Sequence, residues 1–238
     1  MNSMINNPEM GKSIQCGDIV TNYHDVGTGE PILLLHGSGP GVSAWANWRL
    51  TIQALQDQYR LIAPDLAGFG YSQFPENMQF SRENWLKQII DFLDAIGLEK
   101  VNVIGNSFGG SMALALAIHH PERVNKLVLM GSVGVPFELT AGLDAVWGYT
   151  PSFENMQAIM KIFAYNQKLV GDELVQMRYI ASTKEDTRAA YERMFPAPRQ
   201  RWVEAMSHPE ADIRSIQQPT LMVHGRDDQV IPLSTSLT

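Results

Sequence analysis

Five short strand-like runs constrain this chain more than any other feature: Pro31-Ile32-Leu33-Leu34-Leu35, Tyr59 to Pro64, Val101 to Ile104, Leu127 to Met130 and Thr220 to His224. Pro31 to Leu35 is continuously apolar, as a strand covered on both faces must be. Thr220 to His224 reads as a buried strand of the same kind. Helix-spaced stretches alternate with these runs. Trp45 to Leu55 is one; Trp85, Ile89, Ile90, Phe92, Leu93 and Ile96 mark a second that stops at Gly97; Ser111 to Ile118, rich in Ala, Met and Leu, lies in a third. A weaker strand pair brackets the Gly17-Asp18 turn. Strand and helix in alternation predict an α/β fold with a doubly wound, mostly parallel sheet and right-handed crossovers.

The 238 residues suffice for one large domain, or for a core with a smaller insertion. From Val135 to Trp202 the pattern changes: Leu143, Val146, Met156, Ile159, Met160, Ile162, Leu174 and Met177 fall near helical spacing, with no strand-like run. The expected organisation is a core over residues 1–134, a helical lid over 135–205 and the rest of the core over 206–238. Inserted helices of this kind roof the crevice at the carboxyl ends of an open sheet.

A net charge of -7 without any Lys/Arg block argues against a nucleic-acid partner and suits a small-molecule ligand. The single Cys16 allows no intrachain disulfide and no cysteine-based metal site, which points to a reducing cytoplasm. Met1 to Lys12 lacks the basic start and apolar run of a signal peptide. No stretch reaches the ~18 apolar residues of a membrane span.

Gly105-Asn106-Ser107-Phe108-Gly109 joins a predicted strand to a predicted helix. Gly-x-Ser-x-Gly in that setting is a nucleophile elbow: small residues relieve a sharp turn and hold Ser107 at a helix N-terminus, where free N–H groups can stabilise an oxyanion. The competing reading makes Ser107 a helix cap. His36-Gly37-Ser38-Gly39-Pro40-Gly41 follows an early strand, at the place where the second oxyanion N–H arises; the Ser38 hydroxyl can add a donor. Asp228, with Asp227 as the alternative, stands where a carboxylate orients a general-base histidine. In the hydrolase order the base follows both Ser and Asp, and none of His24, His36, His119, His120, His208 and His224 does. His36 and His224 read as locally hydrogen-bonded, and His208 as a solvated turn residue.

Together with Trp45-Ala46-Asn47-Trp48, Val146-Trp147-Gly148-Tyr149-Thr150-Pro151 and His224-Gly225-Arg226-Asp227-Asp228, these segments resemble the meta-cleavage product hydrolases of aromatic degradation. The similarity runs through nearly the whole chain and is narrowest to the branch acting on 6-alkyl-2-hydroxy-6-oxohexa-2,4-dienoates. The resemblance implies an α/β-hydrolase fold that hydrolyses the C5–C6 bond of such a dienoate with no metal or organic cofactor. It makes Ser107 the nucleophile and Asp228 the acid partner of a histidine, and it sets Gly39, Phe108 and Ser38 around the oxyanion hole. It assigns Asn47, Asn106 and Arg178 to the carboxylate and oxo end of the substrate, and Val133, Leu143, Trp147, Val203 and Val230 to the alkyl end. Without the resemblance, Arg178 reads as a surface residue and the five apolar side chains equally as core. Self-association is also implied, without a subunit number.

Two alternatives accompany this expectation. One is a carboxylester hydrolase on the same scaffold; the other is a non-catalytic binding protein or fragment, favoured by the missing histidine. The sequence reading therefore expects an incomplete copy of a longer chain, lacking the last strand and helix, or else an exposed edge at Thr220 to His224.

Overall fold

A computed structural model describes residues 7–238, so the first part of the Met1 to Lys12 reading lies outside the described residues. The chain begins with the antiparallel pair β1 (Lys12–Cys16) and β2 (Ile19–Val26). It continues through β3 (Glu30–Leu35), α1 (Ala44–Leu55), β4 (Tyr59–Pro64), α2 (Arg82–Ala95), β5 (Val101–Asn106), α3 (Phe108–His119) and β6 (Val124–Met130). Six helices follow: α4 (Ala141–Trp147), α5 (Phe153–Phe163), α6 (Asp172–Ser182), α7 (Glu185–Met194), α8 (Gln200–Ala205) and α9 (Glu210–Arg214). The last strand is β7 (Thr220–Val223).

The strands form one seven-stranded sheet in the order β1-β2-β4-β3-β5-β6-β7, antiparallel across β1, β2 and β4 and parallel from β4 to β7. The apolar run of β3 explains the layering. Ile32 and Leu34 join Leu61, Ala63, Trp48 and Ile52 in the cluster under α1, whereas Leu33 and Leu35 join Ile62, Phe92, Phe108 and Met112 on the opposite face with α2 and α3. Side chains alternate across a strand, so only a sheet covered on both faces makes every position of such a run apolar. Helix starts follow local chemistry: Ser43, Ser81, Thr140 and Ser152 each accept an N–H from the first turn of their helix.

β7 departs from the buried strand expected there. All four of its residues are exposed, Leu221 at 58%, because β7 pairs with β6 alone and forms the sheet edge. Thr220–Val223 is therefore an exposed edge of the sheet, as either expectation allows.

The order of the inner strands locates the crevice. β3 leads through α1 to β4 on one side, and β4 leads through α2 to β5 on the other side of β3. The carboxyl ends of β3 and β5 therefore diverge at a switch point, where open α/β sheets bind ligands. The loop at His36 and the turn at Ser107 leave from these two ends. They lie close because Gly109 sits against β3: a Cβ there would stand 2.2 Å from the Leu35 carbonyl oxygen.

His208, expected in a solvated turn, is buried at 3% exposure between α3 and the segment before α9. Its Nε2–H donates to the Ser111 carbonyl at 3.0 Å, and Nδ1 faces the Arg82 guanidinium at 3.5 Å. Burial, reinforced by Arg82 and His119, lowers its pKa to about 4, against the opposing pull of the Ser111 hydrogen bond.

Two outcomes follow for stability. Gly109→Ala must push backbone from backbone, and a loss of about 3 kcal/mol is expected in urea unfolding; an unchanged midpoint would contradict the close approach. For His208, the folded pKa near 4 lies below the ordinary 6.5, so its contribution is full above about pH 6.5 and is lost as pH falls through about 4. His208→Gln should flatten the decline of melting temperature across that window, with His36 leaving a residual slope; equal slopes in the two proteins would exclude the assignment.

Candidate active site

Ser107 links β5 to α3 at φ 53° and ψ -113°, and it is the sole non-glycine residue with positive φ among the described residues. Such a backbone costs roughly 1–3 kcal/mol and persists only where its surroundings enforce it. Here β6 does so: the Ser107 N–H donates to the Met130 carbonyl at 2.9 Å, and the Ser107 carbonyl accepts from Gly110 at 2.9 Å and Val133 at 3.2 Å. The Ser107 side chain makes no cap hydrogen bond, which removes the helix-cap reading. A Cβ at Gly105 would meet the Gly109 carbonyl oxygen at 2.4 Å, and one at Gly110 would meet Ser132 Oγ at 2.0 Å, so the small residues are steric requirements of the turn.

The loop after β3 is held from both ends. The Leu66 N–H donates to His36 Nε2 at 3.0 Å, so the ring proton sits on Nδ1 and donates to the Gly37 carbonyl at 2.7 Å. Burial lowers the His36 pKa to about 4 and keeps that ring neutral. The Gly37 N–H donates to Asn47 Oδ1 at 3.0 Å. Further along, Trp147 Nε1–H donates to Ser38 Oγ at 3.0 Å, leaving the Ser38 hydroxyl hydrogen available as a donor. The Tyr191 hydroxyl lies 3.0 Å from the Ser38 carbonyl and 2.7 Å from that of Val146.

A cavity of about 850 Å³ opens over these loops and is lined by Ser38, Gly39, Asn47, Asn106, Ser107 and Arg178, among others. Phe108 is fully buried, its ring against Phe69 and Trp85, so it can serve an oxyanion only through its backbone N–H. Arg178, a surface residue on the simplest reading of its helix, is partly buried instead: Nη2 meets Glu9 Oε1 at 2.6 Å with the two side chains 11% and 13% exposed, and Nη1 donates to the Gly41 carbonyl at 3.2 Å.

Asp228 and Asp227 both line the cavity. The Asp228 carboxylate is fixed, its Oδ1 accepting from Val230 at 2.8 Å and Ile231 at 2.9 Å, with Oδ2 3.6 Å from His224 Nε2. No comparable anchoring of the Asp227 carboxylate is seen, which separates the two candidates. His224 is engaged locally, with Ser236 Oγ and the Ile231 carbonyl. None of the six histidines is hydrogen-bonded to Ser107 Oγ.

Of the apolar set, Leu143 and Val230 line the cavity. Val133, Trp147 and Val203 are buried in the core behind it; the Trp147 ring stacks on Phe195 at 4.4 Å while its N–H holds Ser38. Met156, Met160, Ile162 and Phe163 of α5 line the cavity as well, although their helical spacing in sequence carried no sign of which face met a ligand. Among the described residues no group of three or more His, Cys, Asp or Glu converges on a metal position, and no helix is long and apolar enough to cross a membrane.

A sequence profile of the α/β hydrolase fold matches residues 30–238. The chain is 53% identical over 238 residues to 2-hydroxymuconate semialdehyde hydrolase of Pseudomonas sp. strain CF600, covering 100% of this chain and 84% of that one. It is 54% identical over 231 residues to 2-hydroxy-6-oxo-2,4-heptadienoate hydrolase of Pseudomonas putida F1, covering 97% and 84%. The solved meta-cleavage product hydrolase CumD of Pseudomonas fluorescens IP01, complexed with acetates, superposes with a TM-score of 0.96 at 53% identity, over 97% of this chain and 85% of that one. With its elbow, its switch-point cavity and these similarities, the chain belongs to the α/β-hydrolase fold family and, within it, to the meta-cleavage product hydrolases.

Proposed function

We propose that the chain binds a 6-alkyl-2-hydroxy-6-oxohexa-2,4-dienoate and hydrolyses its C5–C6 bond, with Ser107 as nucleophile. The observation that carries this reading is the pairing of an uncapped, strained Ser107 with a guanidinium on the wall of the same cavity. A carboxylate at Arg178, supported by Asn47 and Asn106, would direct the other end of the ligand toward the elbow.

In the keto form of the dienoate, Ser107 Oγ adds to the C6 carbonyl, and the oxyanion is held by the N–H groups of Gly39 and Phe108 with the Ser38 hydroxyl nearby. Ketonisation has already put a proton on C5, so cleavage of C5–C6 sends the electron pair through the conjugated system to the C2 oxygen, that oxygen takes a proton, and 2-hydroxypenta-2,4-dienoate leaves. Water then hydrolyses the acyl-serine to a small carboxylic acid. Leu143 and Val230 border the alkyl group. Residues 135–205 act as the lid over this cavity. The reaction belongs in a reducing cytoplasm, where the buried thiol of Cys16 stays free, and self-association is part of the same reading.

Ser107 is activated only when a base takes its proton. The anchored carboxylate of Asp228 supports a role in orienting such a base, and none of the six histidines meets Ser107 Oγ, so slow turnover is expected of the 238-residue form. Incubation with yellow 2-hydroxy-6-oxohepta-2,4-dienoate tests this. Slow loss of colour with release of acetate is expected, absent in Ser107→Ala and reduced about 10- to 100-fold in kcat/KM in Arg178→Ala. Rapid turnover would overturn the claim that a base is missing. Efficient hydrolysis of simple esters, indifferent to Arg178, would favour the carboxylester alternative.

A further inference from the structure

Arg178 does not stand alone in the cavity wall, and the residue that holds it comes from the far end of the chain. Glu9 Oε1 accepts from Arg178 Nη2 at 2.6 Å, and Glu9 Oε2 accepts from Ser43 Oγ at 2.8 Å. Ser43 is the N-cap of α1, the helix that carries Asn47. The Glu9 main chain is held in turn, its carbonyl accepting from Asn22 Nδ2 at 3.1 Å and facing His24 Nε2 at 3.3 Å. The carboxylate therefore joins α6 to the start of α1, and the main chain of the same residue is tied to β2. The Gly41 carbonyl takes a second guanidinium donor, so the fork is fixed at two of its nitrogens while N–H groups remain for a ligand.

We propose that Glu9 is a positioning residue for substrate recognition: by anchoring the Arg178 guanidinium it presets the direction of the donors that meet the dienoate carboxylate. The role rests on the carboxylate reading of Arg178 given above. Its physical basis is preorganisation. A long, flexible side chain ordered before the ligand arrives spares binding the cost of ordering it, and a carboxylate partner offsets the cost of holding a partly buried guanidinium in the empty site. Glu9 also repels an incoming carboxylate, so the two effects oppose each other; the direct 2.6 Å contact on one nitrogen, with other N–H groups left over, favours anchoring over competition.

The test measures binding without turnover, in the Ser107→Ala background, of 2-hydroxy-6-oxohepta-2,4-dienoate and of its methyl ester. The quantity of interest is the preference for acid over ester. Arg178→Ala should abolish that preference. Glu9→Ala should lower it about tenfold by weakening acid binding while ester affinity changes less than about twofold, and Glu9→Gln, which keeps an acceptor for Nη2, should restore most of it. Should Glu9→Ala fail to fold, Glu9→Asp carries the test, since it keeps the charge but draws the carboxylate back by one methylene; the same loss of preference is expected. An unchanged or increased preference in the Glu9 variants, with Arg178→Ala still abolishing it, overturns the positioning role alone. An unchanged preference in Arg178→Ala overturns the carboxylate reading, and the role of Glu9 falls with it.

Discussion

The contact between the first turn of α3 and the end of β3 governs the geometry of this protein's site. Gly109 leaves no room for a Cβ against the Leu35 carbonyl, and Gly105 leaves none against Gly109. Those approaches let the chain reverse from strand to helix at a single residue, and Ser107 takes the strained backbone as a result. The same closeness brings the loop after β3 beside the helix N-terminus, with a Cβ at Gly37 3.6 Å from that of Ser107. Burial on both sheet faces supplies the stability that offsets the strain.

The helices between β6 and β7 brace the loop after β3. Trp147 and Tyr191 reach down to the side chain and main chain of Ser38, and Arg178 reaches Glu9 and Gly41. A loop rich in glycine has little stiffness of its own. Its shape here comes from hydrogen bonds to Leu66, Asn47, Trp147 and Tyr191, each on a different part of the fold.

Much of this was legible in the sequence because it depends on local patterns. The continuous run Pro31 to Leu35, the helix that ends at Gly97 and the Gly-x-Ser-x-Gly turn each carry their structural meaning within a few residues. What was hidden depends on distance. Nothing near Arg178 announces Glu9, 169 positions away, and nothing near His208 shows that its polar turn is tucked against Ser111. The resemblance implies an alkyl-end place for Trp147; what the sequence does not show is that its N–H holds Ser38 while its ring stacks on Phe195. At β7 an apolar run lies on an edge, since composition reports what a strand tolerates and not how many neighbours it has.

The central claim is one of orientation: the carboxylate end of a dienoate at Arg178, and its C6 carbonyl at the elbow. A crystal structure of the Ser107→Ala variant with bound 2-hydroxy-6-oxohepta-2,4-dienoate tests it directly. The account predicts the carboxylate within hydrogen-bond distance of Arg178, C6 beside the Cβ of residue 107, and the C6 oxygen facing the N–H groups of Gly39 and Phe108. A dienoate bound in the reverse sense, with its methyl group at Arg178, would contradict it.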